Sequence, residues 1–394
     1  MKTRVVRVDP QRPDPAVLAE AGAAIRRGEL VAFPTETVYG LGADALNPKA
    51  VARLFEVKGR PPDNPVIVHV AGVGEVMEVA RPDPRGRWAG LAERFWPGPL
   101  TLVLPRREQV PDEVTGGLET VAVRIPRHAV ALGLIRAAGR PVAAPSANRS
   151  GRPSPSRAEH VLADLEGFIE WVLDGGPTAV GVESTVLDLT CEPPMVLRPG
   201  GVTVEALEEA LGQVRVHPAV IGAAWGAAGA AAEAGVEAEV GVGAEGGGVA
   251  AQVREASELL QRPRSPGLKY RHYAPEAPVV VLEGSPEAVA AAIRRRVEGG
   301  QAGRLGLFIT EQTLRLLLQA WSSLPGGVAV FCSGDRSRPE TVARRLFEGL
   351  RTLDRERPRL ILAEAVEGRG LGLAVNNRLR KAAGGKVERC DGLP

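Results

Sequence analysis

Lys58 and Arg60 flank Gly59 at the end of a helical stretch whose apolar face is Val51, Leu54 and Phe55. The following Pro61-Pro62-Asp63-Asn64-Pro65 fixes the exit of the chain and so holds both cations on one side. Rigid cations suit a triphosphate. Compensation of the helix dipole, about 0.3–1 kcal/mol per residue, accounts for the same pair without a ligand. Both are expected at an exposed helix end, where substitution shifts stability by about 0.5 kcal/mol or less. Ser146 and Asn148 follow an apolar run at 141–144 and could orient a carboxylate or phosphate, although a lone Ser-x-Asn is more simply a turn satisfying its own backbone. A third polar segment, 34–42 (PTETVYGLG), also closes an apolar run, and loops in such places carry function more often than packing.

The elements that must position these segments are legible as short apolar runs at 30–33, 65–70, 100–104, 120–125, 141–144, 171–173, 185–189 and 195–197. Separated by amphipathic stretches, they predict an α/β or α+β unit with a large mixed sheet. Asp14-Pro15 caps a helix with Val17, Leu18, Ala21 and Ile25 on its apolar face and Gly28 at its end, and Ser156 with Glu159 matches a capping box. From 218 to 250 the chain is mostly Ala, Gly, Val and Glu without a clear apolar period, so it buries little. This predicts a linker at 216–275 between units at 1–215 and 276–394. In the second unit, runs at 279–282, 305–309, 328–332 and 360–363 alternate with helical stretches, the pattern of a small parallel sheet wrapped by helices. That unit shows no catalytic motif of its own.

Composition narrows the function classes. A net charge of +2 predicts no strong polyanion binder. Cys191, Cys332 and Cys390 are too scattered for a disulfide framework or a zinc pair, which fits a reducing compartment. With no run of about 18 apolar residues and a charged start at 1–10, neither a membrane span nor a signal peptide is expected, and the reading is cytoplasmic.

Together the three polar segments resemble the YrdC/Sua5 family, in which Lys-x-Arg and Ser-x-Asn form a paired signature, here Lys58, Arg60, Ser146 and Asn148. The likeness runs on through 117–126 (GLETVAVRIP), 181–186 (GVESTV) and 197–200 (LRPG), and then through 265–275 (SPGLKYRHYAP), which marks the long two-domain Sua5 form. The resemblance implies a YrdC-like twisted mixed sheet followed by a small Rossmann-like parallel α/β domain.

It further implies a nucleotidyltransferase. Threonine's amine joins bicarbonate as a carbamate, whose oxygen attacks the α-phosphate of ATP and releases pyrophosphate. The product is threonylcarbamoyl-AMP, used to build N6-threonylcarbamoyladenosine at tRNA position 37. Lys58, Arg60, Ser146 and Asn148 carry over as catalytic residues, with Asn64, Thr120, Ser154, Arg198, Tyr270 and Tyr273 joining them around ATP. Thr37, His69, Arg124, Ser184 and the backbone of Ala144 carry over to threonine. Without the resemblance, His69 reads as a core histidine and Arg124 equally as an exposed strand arginine.

Mg²⁺ is implied with the ATP, without an assigned protein ligand, and hand-off to the tRNA threonylcarbamoyl-transferase machinery with weak RNA contact and no membrane. Tyr270 or Tyr273 would close over ATP as part of a lid, unless the aromatics of that segment simply pack against one domain. Two other readings use different chemistry. A basic concave sheet could bind double-stranded RNA by shape, against which the low net charge counts. A carbamoyl-transferring maturation factor would bring zinc-finger cysteine pairs that this sequence lacks.

Overall fold

The computed structural model describes residues 2–82, 86–221, 272–299, 304–321 and 323–391. Tyr270 and most of the Ala/Gly-rich stretch therefore lie outside the described residues. The first sheet is built from β1 (Arg4–Arg7), β2 (Val31–Phe33), β3 (Gly40–Asp44), β4 (Ile67–His69), β5 (Leu100–Pro105), β6 (Thr120–Arg124), β7 (Val142–Ala143), β8 (Trp171–Asp174), β9 (Thr185–Asp188), β10 (Met195–Arg198) and β11 (Arg215–Val216). Their order across the sheet is β1-β8-β2-β3-β7-β4-β6-β5-β9-β10-β11, with parallel and antiparallel neighbours. The sheet is mixed, as expected, and it continues through Val216.

Strand β3 departs from the sequence reading, which made 34–42 one polar loop. Glycine is a poor strand former. Here it is required, because a Cβ at Gly42 would lie 2.9 Å from the Phe33 ring and 2.9 Å from Val142. Small residues let β3 slot between β2 and β7, so only 34–39 remain as loop.

The helix Pro15–Arg26 starts as the sequence indicates, with the Asp14 carboxylate accepting from the Ala16 N–H. It buries Leu18, Ala21, Gly22, Ala24 and Ile25, packing against the helix Ala129–Ala138. The Ser156–Glu159 capping box does not form. The helix there is Ala158–Leu165 with Arg157 as N-cap, while both the N–H and the hydroxyl of Ser156 face Nδ1 of His160, at 3.3 and 3.4 Å.

The second sheet consists of β12 (Val279–Glu283), β13 (Leu305–Ile309), β14 (Val328–Cys332), β15 (Leu360–Glu364) and β16 (Val387–Arg389) in the order β14-β13-β15-β12-β16. Every pairing is parallel. Two of its helices, Pro339–Arg355 and Leu371–Ala382, face the first unit. Phe347, Leu350, Ala374 and Val375 share one apolar cluster with Val38, Val182 and Tyr273. Two buried ion pairs cross the same boundary, Arg351–Asp164 at 2.7 Å and Arg378–Glu183 at 3.0 Å.

A Cβ at Gly22 would lie 2.5 Å from the carbonyl carbon of Ala137, in the backbone of the facing helix. Gly22→Ala should therefore cost about 1–3 kcal/mol, since packed helices have to separate to admit it. Chemical denaturation checks this, and unchanged stability would show that the two helices are not closely packed.

Candidate functional site

Register brings the first pair of side chains together. In β4 and β6, which run parallel, His69 lies beside Arg124, and His69 also pairs with Val142 of β7. Arg124 is buried, not the exposed strand arginine that its position also allowed. Its Nε donates to the Gly98 carbonyl at 3.1 Å and its Nη1 to Thr37 Oγ1 at 3.0 Å. Its Nη2 lies 2.8 Å from Glu36 Oε1, yet neither group makes a hydrogen bond there. The contact is ionic but poorly angled, so a second carboxylate could compete for this guanidinium. Nothing in the sequence reading had singled out Glu36.

His69 Nδ1 is buried without a hydrogen-bond partner among the described residues. Burial, and then the charge of Arg124, lower its pKa to about 3, so the imidazole is neutral at physiological pH. Farther along, Ser184 Oγ lies 2.7 Å from Thr101 Oγ1, and Arg198 donates to the Ser184 hydroxyl and carbonyl, both at 3.1 Å.

The Lys-x-Arg pair sits differently from the sequence expectation. The helix Pro48–Lys58 ends at Gly59 in the left-handed conformation, φ 60°. Yet Lys58 is 3% and Arg60 9% exposed. This end is buried because Lys58 Nζ reaches across to the carbonyls of Ser146, at 2.5 Å, and of Asn148. Burial, then the charge of Arg60, lowers the Lys58 pKa. Lys58 thus shapes the Ser-x-Asn loop from behind. Removing it would orphan buried carbonyls, at about 1–3 kcal/mol, so stability and activity would not separate as an exposed lysine allows. Arg60 donates to the Asn64 carbonyl (2.9 Å), Asn64 Oδ1 (2.8 Å) and the Pro65 carbonyl (2.6 Å), which shows how the proline-rich exit fixes it.

Asn148 is also a loop clamp, its Nδ2 donating to the carbonyls of Arg149 and Arg152 at 2.7 and 2.9 Å. Its Oδ1 is buried and without a partner among the described residues. Ser154 donates to Glu183 Oε1 at 2.5 Å. Burial would raise the pKa of Glu183, but Arg378 and Arg198 outweigh it and keep the carboxyl low.

One pocket collects Thr37, His69, Arg124, Ala144 and Ser184 together with Arg60, Ser146, Asn148, Ser154, Arg198 and Tyr273. Lys58 and Asn64 stand behind its wall. Thr120 does not line it, since it opens β6, four residues and roughly 13 Å from Arg124 at the other end. Glu183 and His272 do line it, without having been named as ligand residues. Tyr273 carries a positive φ of 65°, and its ring packs on Phe347 at 5.3 Å between centroids. It therefore packs on the second unit and walls the pocket at once.

His69 and His160 both have folded-state pKa values lowered to about 3, against an ordinary value of 6.5. The unfolded chain takes up protons below about pH 6.5 while the folded chain resists until about pH 3. Their stabilising effect is full above pH 6.5 and lost as pH falls through that window. Urea unfolding at pH 7, 6 and 5 should show falling stability, with a shallower dependence in His69→Gln. An unchanged slope in that variant would mean that His69 is solvated.

Comparison with known proteins follows the same division. A family described as telomere recombination, Sua5_yciO_yrdC, matches residues 23–200, and one described as the threonylcarbamoyl-AMP synthase C-terminal domain matches 202–384. Threonylcarbamoyl-AMP synthase of Pyrococcus abyssi is 46% identical over 372 residues, 93% of this chain and 94% of the relative. The Bacillus subtilis enzyme of that name is 43% identical over 95% of each chain. The crystal structure of P. abyssi Sua5 complexed with L-threonine superposes with a TM-score of 0.80 at 44% identity, covering 98% of this chain and 99% of that one. With both family matches in order and relatives aligned over more than nine-tenths of each chain, this chain belongs to the threonylcarbamoyl-AMP synthase family in its two-domain Sua5 form.

Proposed function

We propose that this chain condenses L-threonine, bicarbonate and ATP to threonylcarbamoyl-AMP and pyrophosphate, supplying threonylcarbamoyladenosine formation in tRNA. The observation that carries this reading is a single buried pocket in which the amino-acid residues Thr37, His69, Arg124 and Ser184 adjoin the nucleotide residues Arg60, Ser146, Asn148 and Arg198. L-threonine in the P. abyssi relative supports the amino-acid half.

The chemistry needs positioning more than a covalent nucleophile, because a carbamate anion must approach a polyanion. Arg124 holds the threonine carboxylate, exchanging its poorly angled contact with Glu36. Ala144 donates its N–H to the Ile67 carbonyl at 2.9 Å, so a ligand meets its carbonyl, which suits an ammonium group. His69 is too weak a base to carry off the ammonium proton and serves as a hydrogen-bonding wall. The ammonium group first gives its proton to solvent, the free amine then bonds to the bicarbonate carbon with loss of water, and the resulting carbamate oxygen displaces pyrophosphate from the α-phosphorus.

Mg²⁺ enters on the nucleotide. Among the described residues no group of three metal-ligating side chains occurs, and Glu36 and Glu183 each face an arginine. The adenylate is hydrolysis-prone, which favours direct hand-off to the tRNA-modifying transferase. No helix among the described residues is long and apolar enough to cross a membrane.

Pure protein with ATP, L-threonine and labelled bicarbonate should release pyrophosphate and a labelled threonylcarbamoyl nucleotide, and absence of both overturns the reading. Valine, lacking the hydroxyl, should bind far more weakly than threonine, because His69 Nδ1, buried without a hydrogen-bond partner among the described residues, is then left unpaired. Serine should lose only about 1–3 kcal/mol through its missing methyl group. Equal calorimetric affinities for threonine and valine would remove the hydroxyl-reading pocket.

A further inference from the structure

Arg378 belongs to the helix Leu371–Ala382 of the second unit, yet it is the largest fully buried side chain among the described residues. Its Nε donates to Glu183 Oε2 at 3.0 Å, and its Nη1 donates to the Pro199 carbonyl. Its guanidinium carbon lies 5.6 Å from the centroid of the Tyr273 ring. Its Nη2 has no hydrogen-bond partner among the described residues. Burying a charge is costly even when it is paired, and docking is better served by apolar contact. The cluster around Phe347 already supplies such contact, and Arg351–Asp164 already pins the two units. A side chain serving only to dock has no need of a buried cation.

What Arg378 touches gives the reason. Glu183 divides its oxygens, Oε2 to Arg378 and Oε1 to the Ser154 hydroxyl. With its proton committed to a carboxylate, Ser154 shows the pocket only lone pairs, so it accepts from a ligand hydroxyl or amino group and repels a phosphoryl oxygen. The orientation holds only while Glu183 stays ionised and in place. We propose that Arg378 is a positioning residue for the nucleotide, acting through Glu183 on Ser154 and through its face on Tyr273, so that the second unit completes the nucleotide half of the pocket. This rests on the reading of that half as an ATP site. Ser154 then meets a hydroxyl or amino group of the nucleoside, leaving the phosphates to Arg60 and Arg198.

The test uses the full chain, with ATP and L-threonine affinities by calorimetry, KM for each, and melting temperature. Arg378→Met should weaken ATP on the order of tenfold or more, as displaced positioning groups do, while threonine changes less than about threefold. Arg378→Lys should recover part of that loss. So should Arg378→Met combined with Glu183→Gln, which leaves a neutral acceptor for Ser154 and no carboxylate needing a partner. Glu348→Gln removes the charge pairing of the Arg157–Glu348 contact between the units, 3.1 Å in length and sharing no partner with the Arg378–Glu183 pair, and should leave both affinities unchanged. If Arg378→Met fails to fold, the Lys variant and the double variant carry the same comparison. Equal loss of both ligands, or a lowered melting temperature with ATP affinity intact, overturns the inference and leaves Arg378 a docking residue. Failure of the wild-type chain to bind ATP would instead overturn the nucleotide reading, and this inference with it.

Discussion

Guanidinium groups cannot escape burial by losing a proton, and of the buried arginines among the described residues, Arg124, Arg198 and Arg378 gather around two carboxylates, Glu36 and Glu183. Much of the local architecture follows from that constraint. The carbonyls of Gly98, Ser184 and Pro199 turn inward as acceptors. Arg124 and Arg198 stand at the ends of β6 and β10, where the sheet gives way to loops and a ligand can enter. Buried charge of this kind is costly to desolvate, and such clusters concentrate at functional sites.

The two units divide the task unequally. In open parallel sheets, ligands commonly sit beyond the carboxyl ends of the strands. In the second sheet that crevice is occupied by the protein itself. Glu364, ending β15, accepts the Thr310 N–H at 2.7 Å and the Thr310 hydroxyl at 3.0 Å, while Arg336 donates to Glu364 and to the carbonyls of Ala365 and Gly284. A unit with its own crevice plugged contributes instead through the helix faces turned toward the first sheet, where Phe347 backs Tyr273 and Arg378 backs Glu183.

Strands with unbroken apolar runs, such as 305–309, were legible because parallel strands buried on both faces have no other composition. Lys58, Arg60, Ser146 and Asn148 were legible as types and spacing, but their directions were not. A lysine at a helix end looks exposed in one dimension, and only the return of 145–148 beside it makes Lys58 an internal clamp. β3 was hidden because its glycines answer to the Phe33 ring, a neighbour set by pairing rather than by propensity. Glu36 and Arg378 were hidden because a charge's burial depends on partners far away in the chain, with Arg378 195 residues from Glu183.

In the proposed chemistry Arg124 serves the amino acid and the neighbouring cations serve the nucleotide. The most direct measurement is calorimetric titration of L-threonine and of ATP into Arg124→Gln beside the unaltered chain. Threonine affinity should fall at least about tenfold, the loss of a charge-assisted pair, while ATP binds within about threefold of its original strength. Retained threonine binding, or equal loss of both ligands, would contradict the division of the pocket.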